Sequence, residues 1–390
     1  MAVLAVENLK THFFTKAGVV KAVDDVSFSV DAGRVLGLVG ESGSGKTVTG
    51  FSIMGLVDPP GRIVAGRILL EGHNLLDRTD DAMRGLRGDR IAMIFQDPMM
   101  TLNPVLRIDT QMIETVLAHQ AVSKEQAHEL SRNALGRVGI PSPDERLKAY
   151  PHQLSGGMRQ RVAIAIALLN NPRVIIADEP TTALDVTVQA QILEVLGTAL
   201  EETGAAMVLI THDLGVVAGV ADRVLVMYAG KPVEIGSVED IYYEPRMPYT
   251  LGLLGSLPRL DSTGRERLTP IVGSPPSLVN MPPGCPFAPR CPLHIAECDA
   301  GEPPLFDVGR GHSAACIRTE IVEKAHGDAT FVFDETSADM LLTGEASPLE
   351  DDIPAGDRDR GPSAEVEGET APDHAAGETG SIVSPKGTNS

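Results

Sequence analysis

The stretch Val35-Leu-Gly-Leu-Val39 followed by Gly40-Glu-Ser-Gly-Ser-Gly-Lys46-Thr47 decides the fold. The first five residues are continuously apolar and predict a buried strand, and Thr47 to Gly55 predict a helix. The glycine-rich stretch between them fits the phosphate-loop pattern, in which backbone N–H groups and a helix N-terminus bind an anion. We therefore expect a nucleotide to bind where this strand ends.

Each residue type in this loop suits phosphate binding. The glycines let the backbone turn its N–H groups toward an anion, Lys46 can reach the β- and γ-phosphates, and the Thr47 hydroxyl can ligate Mg²⁺. The candidate nucleotide-binding residues of the loop are Gly40, Ser42, Gly43, Ser44, Gly45, Lys46 and Thr47.

A second candidate site lies far downstream, where the apolar run 174–177 leads directly into Asp178 and Glu179. A strand that ends in two acids places both carboxylates at the carboxyl edge of the sheet, where open α/β folds bind ligands. Asp178 suits Mg²⁺, held directly or through water, and Glu179 suits a general base for an attacking water. An acidic strand end alone is a common structural feature, but together with a phosphate loop it predicts a hydrolytic site.

The wider pattern predicts an α/β protein with a mostly parallel sheet. Apolar runs at 91–95 and 207–210 are typical of buried strands, and residues 186–200 are typical of a helix. Leu4 to Val30 predict shorter alternating strands, which would form an antiparallel subsheet. Between about 98 and 154 helical stretches dominate, at 113–120 and 124–138, which indicates an inserted helical subdomain.

Composition excludes several classes of protein. The chain has 390 residues, with 53 acidic and 33 basic side chains and a net charge of −20, which disfavours a nucleic-acid-binding role because phosphate recognition needs a basic surface. The longest apolar run, 162–169, is far shorter than the roughly 18 to 20 residues that cross a bilayer. Glu7 lies where a signal peptide would need its apolar stretch, so we expect the chain to remain on the cytoplasmic side.

The C-terminal part changes character twice. Residues 237 to about 318 are rich in proline and predict a loop-rich region. From 321 to the end sixteen acidic residues face only four basic ones, and no hydrophobic period is present after about 345. Such a composition predicts a disordered acidic tail, for which a solubilising extension is the plainest explanation.

The motif Leu154-Ser-Gly-Gly-Met-Arg-Gln-Arg161 resembles the signature of the ATP-binding-cassette (ABC) ATPases. This resemblance implies the P-loop NTPase ABC ATPase fold, with a RecA-like parallel-sheet core, an antiparallel β subdomain and a helical subdomain. It also implies that Ser155, Gly156 and Gly157 complete the nucleotide site of a partner chain across a head-to-tail dimer.

Further positions match the family one at a time. Gln96 resembles the glutamine that senses Mg²⁺ and the attacking water, and His212 resembles the switch histidine that contacts the γ-phosphate. Asp185, after Ala183 and Leu184, resembles the aspartate that helps to organise the opposing site. The adenine-stacking aromatic corresponds to Phe13 or Phe14, and we favour Phe13. The resemblance therefore implies Glu179, His212 and Gln96 as catalytic residues, with Thr47, Gln96 and Asp178 at Mg²⁺.

Longer segments resemble the ATP-binding subunits of bacterial oligopeptide, dipeptide and nickel permeases. They are 95–104, 150–157, 178–189 and Pro-Tyr-Thr-Leu at 248–251. The resemblance covers about 4 to 318 and implies domains at 1–236 (helical subdomain about 97–160), 237–320 and a tail at 321–390. It further implies ATP-driven import with two membrane permease subunits, a second related ATPase in a heterodimer, and indirectly an extracytoplasmic substrate-binding protein. The chain would then be peripheral to the cytoplasmic face of the cell membrane.

All four cysteines fall between 285 and 316, at Cys285, Cys291, Cys298 and Cys316. Their spacings are wider than those typical of structural zinc loops, and thiolates with neighbouring prolines suit a cubane cluster. The resemblance implies a [4Fe-4S] cluster at these positions, with zinc or plain reduced thiols as alternatives.

Other functions share parts of this pattern. A nickel or other small-solute importer would carry the same motifs, since substrate choice resides in other subunits. A soluble ABC ATPase acting on nucleic acid or ribosomes is disfavoured by the net charge, and an exporter cassette by the cysteine segment. A redox-sensing role of that segment is compatible with transport.

Overall fold

A computed structural model of the chain describes residues 2–182, 184–256 and 271–325, and the statements on structure below concern these residues. In chain order the strands are β1 (Ala2–Thr15), β2 (Gly18–Asp31), β3 (Val35–Val39), β4 (Gly61–Leu70), β5 (His73–Asn74), β6 (Ile91–Ile94), β7 (Val174–Asp178), β8 (Ala206–Ile210), β9 (Arg223–Tyr228), β10 (Lys231–Ser237), β11 (Phe306–Gly309) and β12 (His312–Ala314). The α-helices are α1 (Lys46–Met54), α2 (Asp80–Leu86), α3 (Ile108–Leu117), α4 (Lys124–Arg137), α5 (Pro143–Leu147), α6 (Gly156–Leu168), α7 (Val186–Thr203), α8 (Leu214–Val220), α9 (Val238–Tyr243), α10 (Pro248–Gly255) and α11 (Thr319–Lys324).

The larger sheet has the strand order β11-β12-β10-β9-β3-β8-β7-β6. Its members β9, β3, β8, β7 and β6 pair in parallel, which confirms the predicted parallel core. Successive residues of a strand point to opposite faces, so Ile175 and Ala177 join one hydrophobic cluster while Val174 and Ile176 join another. The continuous apolar runs therefore arise because both faces of the sheet are covered.

The smaller, antiparallel sheet has the order β2-β1-β4-β5 and covers one of these faces. Its existence was predicted, but the prediction of short N-terminal strands is wrong, since β1 and β2 are 14 residues each. The pairing of β1 with β2 shifts register between Val6 and Leu9 and again before Thr11, and Asn8 has a φ of 47°. These bulges interrupt the alternation of apolar and polar residues along β1, and the sequence pattern of this one long strand therefore looks like that of several short strands.

Helices α3 to α7 cover the other face of the larger sheet. The predicted helical stretches between 98 and 154 are confirmed, although α3 begins at Ile108, before the predicted start at 113. Helix α4 begins with a capping box, in which Ser123 and Gln126 satisfy each other's backbone N–H groups.

The C-terminal region is more ordered than the predicted loop-rich stretch. Strand β12 pairs with β10, placing Ala314 opposite Glu234, and β11 pairs with β12, so this region extends the larger sheet. Strands of three or four residues are too short to give a hydrophobic pattern. The predicted tail begins within α11, and its part from 326 onward lies outside the described residues. Among the residues with described structure, no helix combines the length and apolarity needed to cross a bilayer.

The register of the parallel strands brings their carboxyl ends to one edge. Asp178 lies opposite Ile210, Ile94 lies opposite Ala177, and Leu38 also lies opposite Ile210. The segments that follow β3, β6, β7 and β8 therefore start side by side. These segments carry the phosphate loop, Gln96, Glu179 and His212, which brings the predicted site residues together.

Candidate nucleotide site

The phosphate loop connects β3 to α1 in a conformation that only glycine accommodates at key points. Gly40 and Gly45 have φ values of 144° and 104°, and a Cβ atom at either would lie 2.2 Å from a backbone oxygen, that of Met227 or Ala22 respectively. Gly43 also has positive φ, at 79°. The loop is thus held closely against β9 and β2 while Ser42 remains exposed.

Lys46 is folded back into the loop and only 5% exposed. Its Nζ donates hydrogen bonds to the backbone oxygens of Gly40 (2.8 Å) and Glu41 (2.9 Å). Burial lowers the pKa of Lys46, while the charges of Glu179 and Asp178 oppose that shift. The Oγ of Ser44 is buried without a hydrogen-bond partner, and so the loop contains an unsatisfied polar atom as well as a buried ammonium.

Thr47 and Asp178 meet at the start of α1. The Thr47 hydroxyl donates to Asp178 Oδ1 at 3.0 Å, and Asp178 is 2% exposed. Burial raises the pKa of Asp178 to about 6, with the charge of Glu179 adding to the rise and the Thr47 hydrogen bond opposing it. A hydroxyl and a carboxylate at one point fit Mg²⁺, which binds few protein oxygens and completes its shell with water and phosphate.

Glu179 is the centre of a hydrogen-bonded group. Its Oε2 accepts from Gln96 Nε2 (2.9 Å) and Thr182 Oγ1 (2.8 Å), and its Oε1 lies 3.1 Å from His212 Nδ1. Burial by itself raises the pKa of Glu179, but the hydrogen bonds with Thr182 and His212, together with electrostatic attraction from His212 and Lys46, outweigh it and the pKa is lowered. Glu179 is thus held as a carboxylate, which is the protonation state of a general base.

The backbone at Glu179 is also unusual. Its φ is 46°, in the left-handed region that non-glycine residues rarely adopt, and its N–H donates to Ile210 O at 2.8 Å. Such strain persists only where surrounding contacts impose it, and it is concentrated at functional sites. Thr182, which supports this carboxylate, was not identified from the sequence, because a threonine in a loop carries no motif of its own.

The signature segment lies apart from this group. Ser155 caps α6, its Oγ accepting from Met158 N at 3.3 Å, and Ser155 and Gly156 are exposed. A Cβ on Gly157 would lie 3.1 Å from Val188 Cγ1. Within the described chain, the side-chain hydrogen bonds of Lys46, Thr47 and Glu179 involve no residue of 155–157. The structure therefore does not bring the signature to the phosphate loop of its own chain.

The two remaining predicted residues lie on the surface of the molecule. Asp185 is exposed and caps α7, with its Oδ1 accepting from Val188 N at 2.9 Å; Ala183, quoted in the same motif, lies outside the described residues. Phe13 is half-buried in β1, opposite Gly61, and its Cε1 lies 2.6 Å from where a Gly61 Cβ would be. Phe14, the alternative, is 39% exposed beneath the guanidinium of Arg62.

The four cysteines form a separate group in the C-terminal region. They are free and line one cavity of about 20 Å³, enough for a single water molecule. Burial raises the pKa of Cys285, and raises those of Cys291 and Cys316 to about 12. The described residues contain no group of three or more His, Cys, Asp or Glu side chains arranged to hold a metal ion. The four thiols thus line one cavity, but their arrangement there is not that of a metal site.

The sequence matches two family models. Residues 23–182 match the model described as ABC transporter, and residues 233–298 match the model described as Oligopeptide/dipeptide transporter, C-terminal region. The first range includes the phosphate loop, the signature and Glu179, and the second includes three of the four cysteines.

Curated relatives agree with these matches. The chain is 54% identical over 315 residues to the dipeptide transport ATP-binding protein DppD of Bacillus subtilis, a match that covers 80% of this chain and 94% of the relative. It is 50% identical to the oligopeptide transport ATP-binding protein OppD of Salmonella typhimurium, covering 81% and 93% respectively. For OppD of Mycobacterium tuberculosis the identity is 53%, over 82% of this chain and 52% of that longer protein.

Solved structures support the fold. The dimeric structure of the ATP-binding cassette MJ0796 in a post-hydrolysis state, bound to ADP and Pi, superposes with a TM-score of 0.55 at 27% identity. That similarity covers 60% of this chain and 98% of that one. The predicted ABC ATPase fold is thereby confirmed.

Proposed function

The chain belongs to the ABC transporter family, among its oligopeptide and dipeptide transport ATP-binding proteins, and from this premise we propose that it hydrolyses ATP to drive the import of peptides. The relatives in bacteria are named for dipeptide and oligopeptide transport, which supports peptides as the transported substrate. The observation that carries the proposal is the convergence of the phosphate loop, Asp178, Glu179, Gln96 and His212 at one sheet edge.

Each residue has a role that follows from its position. Lys46 leaves its carbonyl partners to bind the β- and γ-phosphates, and Thr47 with Asp178 and Gln96 would hold Mg²⁺, which supplies charge neutralisation at the phosphates. Glu179 accepts the proton of the attacking water. His212, already hydrogen-bonded to Glu179, contacts the γ-phosphate.

The remaining nucleotide contacts come from the loop and from β1. The backbone N–H groups of residues 40–47, with the hydroxyls of Ser42 and Ser44, surround the phosphates. Phe13 stacks on the adenine. The buried Ser44 Oγ without a partner supports this assignment, because a bound anion would satisfy it.

The site is completed by a second chain. Ser155 and Gly156 are exposed and Gly157 is half-buried at the start of α6, where backbone N–H groups and the helix dipole favour an anion. We assign them to the nucleotide bound on the partner, with Asp185 at the same interface. The partner is a related ATPase chain, so the active form is a heterodimer with two sandwiched ATP molecules.

Membrane permease subunits are the other partners. Met100 and Val105 are 69% and 75% exposed, and both lie between Gln96 and the first helix of the helical part. Large apolar side chains exposed within a few residues of each other in the chain support a contact surface, here for two permease chains on the cytoplasmic face of the cell membrane. An extracytoplasmic substrate-binding protein would act through those permeases. The helical subdomain, about 97–160, lies within an ATPase domain at 1–236, followed by a C-terminal domain at 237–320 and a tail at 321–390.

Mass spectrometry of what co-purifies with the tagged chain from mildly solubilised membranes tests this assembly. We expect two multi-spanning permeases and a second ATPase with the wild type. The double change Met100→Glu and Val105→Glu should lose the permeases, whereas the matched control Val64→Glu, on the exposed side of β4, should retain them. Only ribosomal or other soluble partners for the wild type would contradict the transport function.

We also propose that Cys285, Cys291, Cys298 and Cys316 hold a [4Fe-4S] cluster. Four thiols around one cavity are the donor set of such a cluster, although the cavity must widen to receive it. Metal analysis of anaerobically purified full-length chain tests this, with about four iron atoms per chain expected and Cys291→Ser as the variant that loses them. Zinc, or no metal, in the wild type would contradict the cluster.

A further inference from the structure

The C-terminal region contacts the phosphate loop directly through one ion pair. Arg290 Nη1 and Nη2 donate to Glu41 Oε2 and Oε1 at 2.6 and 2.9 Å, a two-pronged arrangement in which each guanidinium nitrogen meets one carboxylate oxygen. The Arg290 side chain is 4% exposed and that of Glu41 is 27% exposed. Glu41 is the second residue of the phosphate loop, and so a side chain 249 positions away holds the loop at its first turn.

The guanidinium is fixed from several sides. Its Nε donates to Val272 O at 3.1 Å, and Nη1 also lies 3.3 Å from the Tyr228 hydroxyl. It lies 5.8 and 5.9 Å from the ring centroids of Tyr228 and Phe287. An arginine held by this many partners loses little further freedom when it binds the carboxylate, which favours a defined geometry.

A second contact reaches the same loop residue. The Tyr249 hydroxyl accepts a hydrogen bond from Glu41 N at 2.8 Å, and the Tyr249 and Tyr228 rings are 4.6 Å apart. Both the side chain and the backbone N–H of Glu41 are therefore held by one cluster. At the same time the Glu41 carbonyl accepts from Lys46 Nζ, so the clamped residue is in direct contact with the residue assigned to the phosphates.

The charges of the Arg290–Glu41 pair matter for nucleotide binding as well as for packing. An unpaired carboxylate beside the loop would repel the phosphates of a nucleotide, and this repulsion is stronger in a partly buried site than in bulk water. Arg290 neutralises the carboxylate and keeps it turned toward the C-terminal region. An ordinary buried ion pair would only join two parts of the fold; this one lies where a negative ligand is expected.

We propose that Arg290 is a positioning residue for the nucleotide: by pairing with Glu41 it keeps the carboxylate turned toward the C-terminal region and cancels a charge that would otherwise weaken nucleotide binding. The inference rests on the proposed function, since it presumes that MgATP binds at Lys46. It predicts that nucleotide affinity depends on a residue of the C-terminal region.

Equilibrium titration of the purified full-length chain with a fluorescent ATP analogue and Mg²⁺ tests the proposal, together with KM and kcat for ATP of the complex that the chain forms with the second ATPase and the permeases. For Arg290→Gln we expect binding weaker by about tenfold, with KM raised by a similar factor and kcat changed much less. Glu41→Gln should bind at least as tightly as the wild type, because the repelling charge is gone. The double variant should return close to wild-type affinity. Arg310→Gln, an exposed arginine in the same region, is the matched control and should bind normally.

The possible outcomes distinguish a failure of the proposed ATPase function from a failure of the proposed role of Arg290. If the wild type fails to bind MgATP, the proposed function is wrong. If the wild type binds but Arg290→Gln binds equally well, or the double variant is as weak as Arg290→Gln, then the charge compensation is wrong. Should Arg290→Gln fail to fold, Glu41→Gln alone decides, since binding weaker than that of the wild type would show a merely structural pair.

Discussion

The surroundings of Glu179 at the sheet edge and the cavity that the thiols line both shield ionisable groups from solvent, but they shift the pKa values of those groups in opposite directions. At the sheet edge, Glu179 accepts hydrogen bonds from Gln96 and Thr182, and its pKa is lowered. The four thiols line one cavity, and among the described residues of its lining Arg318 is the one cationic side chain. Burial raises the pKa of Cys291 and Cys316. The surroundings of Glu179 hold its carboxylate charged, whereas those of the neighbouring Asp178 raise its pKa; the cavity keeps Cys291 and Cys316 neutral until a ligand replaces their protons.

The largest effect is expected at Glu179. Replacing it with Gln removes the base but keeps a side chain that can accept from Thr182, so we expect kcat for ATP to fall by about a thousandfold while nucleotide binding persists. Steady-state ATPase assays with titration of a fluorescent nucleotide would measure both quantities.

Glu194→Gln is the matched control for this change, because Glu194 is an exposed residue of α7 remote from the carboxylate group. It should leave kcat unchanged. Turnover near the wild-type rate in Glu179→Gln would show that Glu179 is not the base and that its charge is not needed for hydrolysis.

The second prediction concerns Asp178, whose ionisation in its buried position should lower the free energy of unfolding by about 3 kcal/mol. Its pKa is raised to about 6 in the folded chain, so between pH 4 and pH 6 the folded state binds more protons than the unfolded state. In the absence of Mg²⁺ and nucleotide, the free energy of unfolding of the wild type should therefore fall as the pH rises from 4 to 6. Asp178→Asn has no such titration, and it should equal the wild type near pH 3 to 4 and exceed it at pH 8.

Denaturant unfolding at several pH values, for both proteins, checks this difference. A wild type as stable as Asp178→Asn at pH 8 would show that Asp178 carries its charge there without cost. Added Mg²⁺ with nucleotide should narrow the gap at pH 8, because a cation stabilises the carboxylate that burial disfavours.

The thiols should resist alkylation in the metal-free folded chain. At pH 8 a thiol with a pKa of about 12 is almost wholly protonated, and the stronger nucleophilicity of its thiolate recovers only part of the loss, so we expect Cys291 and Cys316 to react with iodoacetamide about fortyfold more slowly than ordinary thiols. Peptide mass spectrometry over time gives the rates, and the same chain in urea provides the reference. Equal rates in the folded and unfolded chain would show that the cavity does not protect these thiols.

The sequence predicted the sheet edge far better than the surroundings of the cavity. The phosphate loop, Asp178 and Glu179 each follow an apolar strand directly, so local sequence defines both the element and its chemistry. The parallel register then brings together residues that are distant in the chain, as Gln96 and Glu179 show at 2.9 Å. The strand pattern was sufficient to predict Asp178 and Glu179 at the carboxyl edge, whereas Gln96 was assigned to the site by its resemblance to the ABC ATPases.

What could not be predicted depends on contacts that leave no local pattern. Arg290 and Glu41 are charged residues in unremarkable surroundings, and only the folded chain shows that they pair. Strands β11 and β12 are too short for periodicity, and the bulges of β1 hide a single long strand. Hydrogen bonds of side chains such as Thr182 depend on a few ångströms of placement that composition does not encode.

The smallest expected effect concerns Thr182, whose hydrogen bond is one of those that lower the pKa of Glu179. In Thr182→Val this donor is lost, the carboxylate is stabilised less, and its pKa rises by the equivalent of about 1 kcal/mol, a factor of about five in the protonation equilibrium. The acidic limb of the kcat/KM profile should therefore move to higher pH, with little change on the plateau. Thr203→Val removes a comparable hydrogen bond, to Ala199 O at the end of α7, and should leave the limb in place. If both variants gave the wild-type profile, the remaining partners Gln96 and His212 would suffice to hold Glu179 charged; a limb that moved to lower pH would contradict the assignment of Thr182 as a donor to the carboxylate.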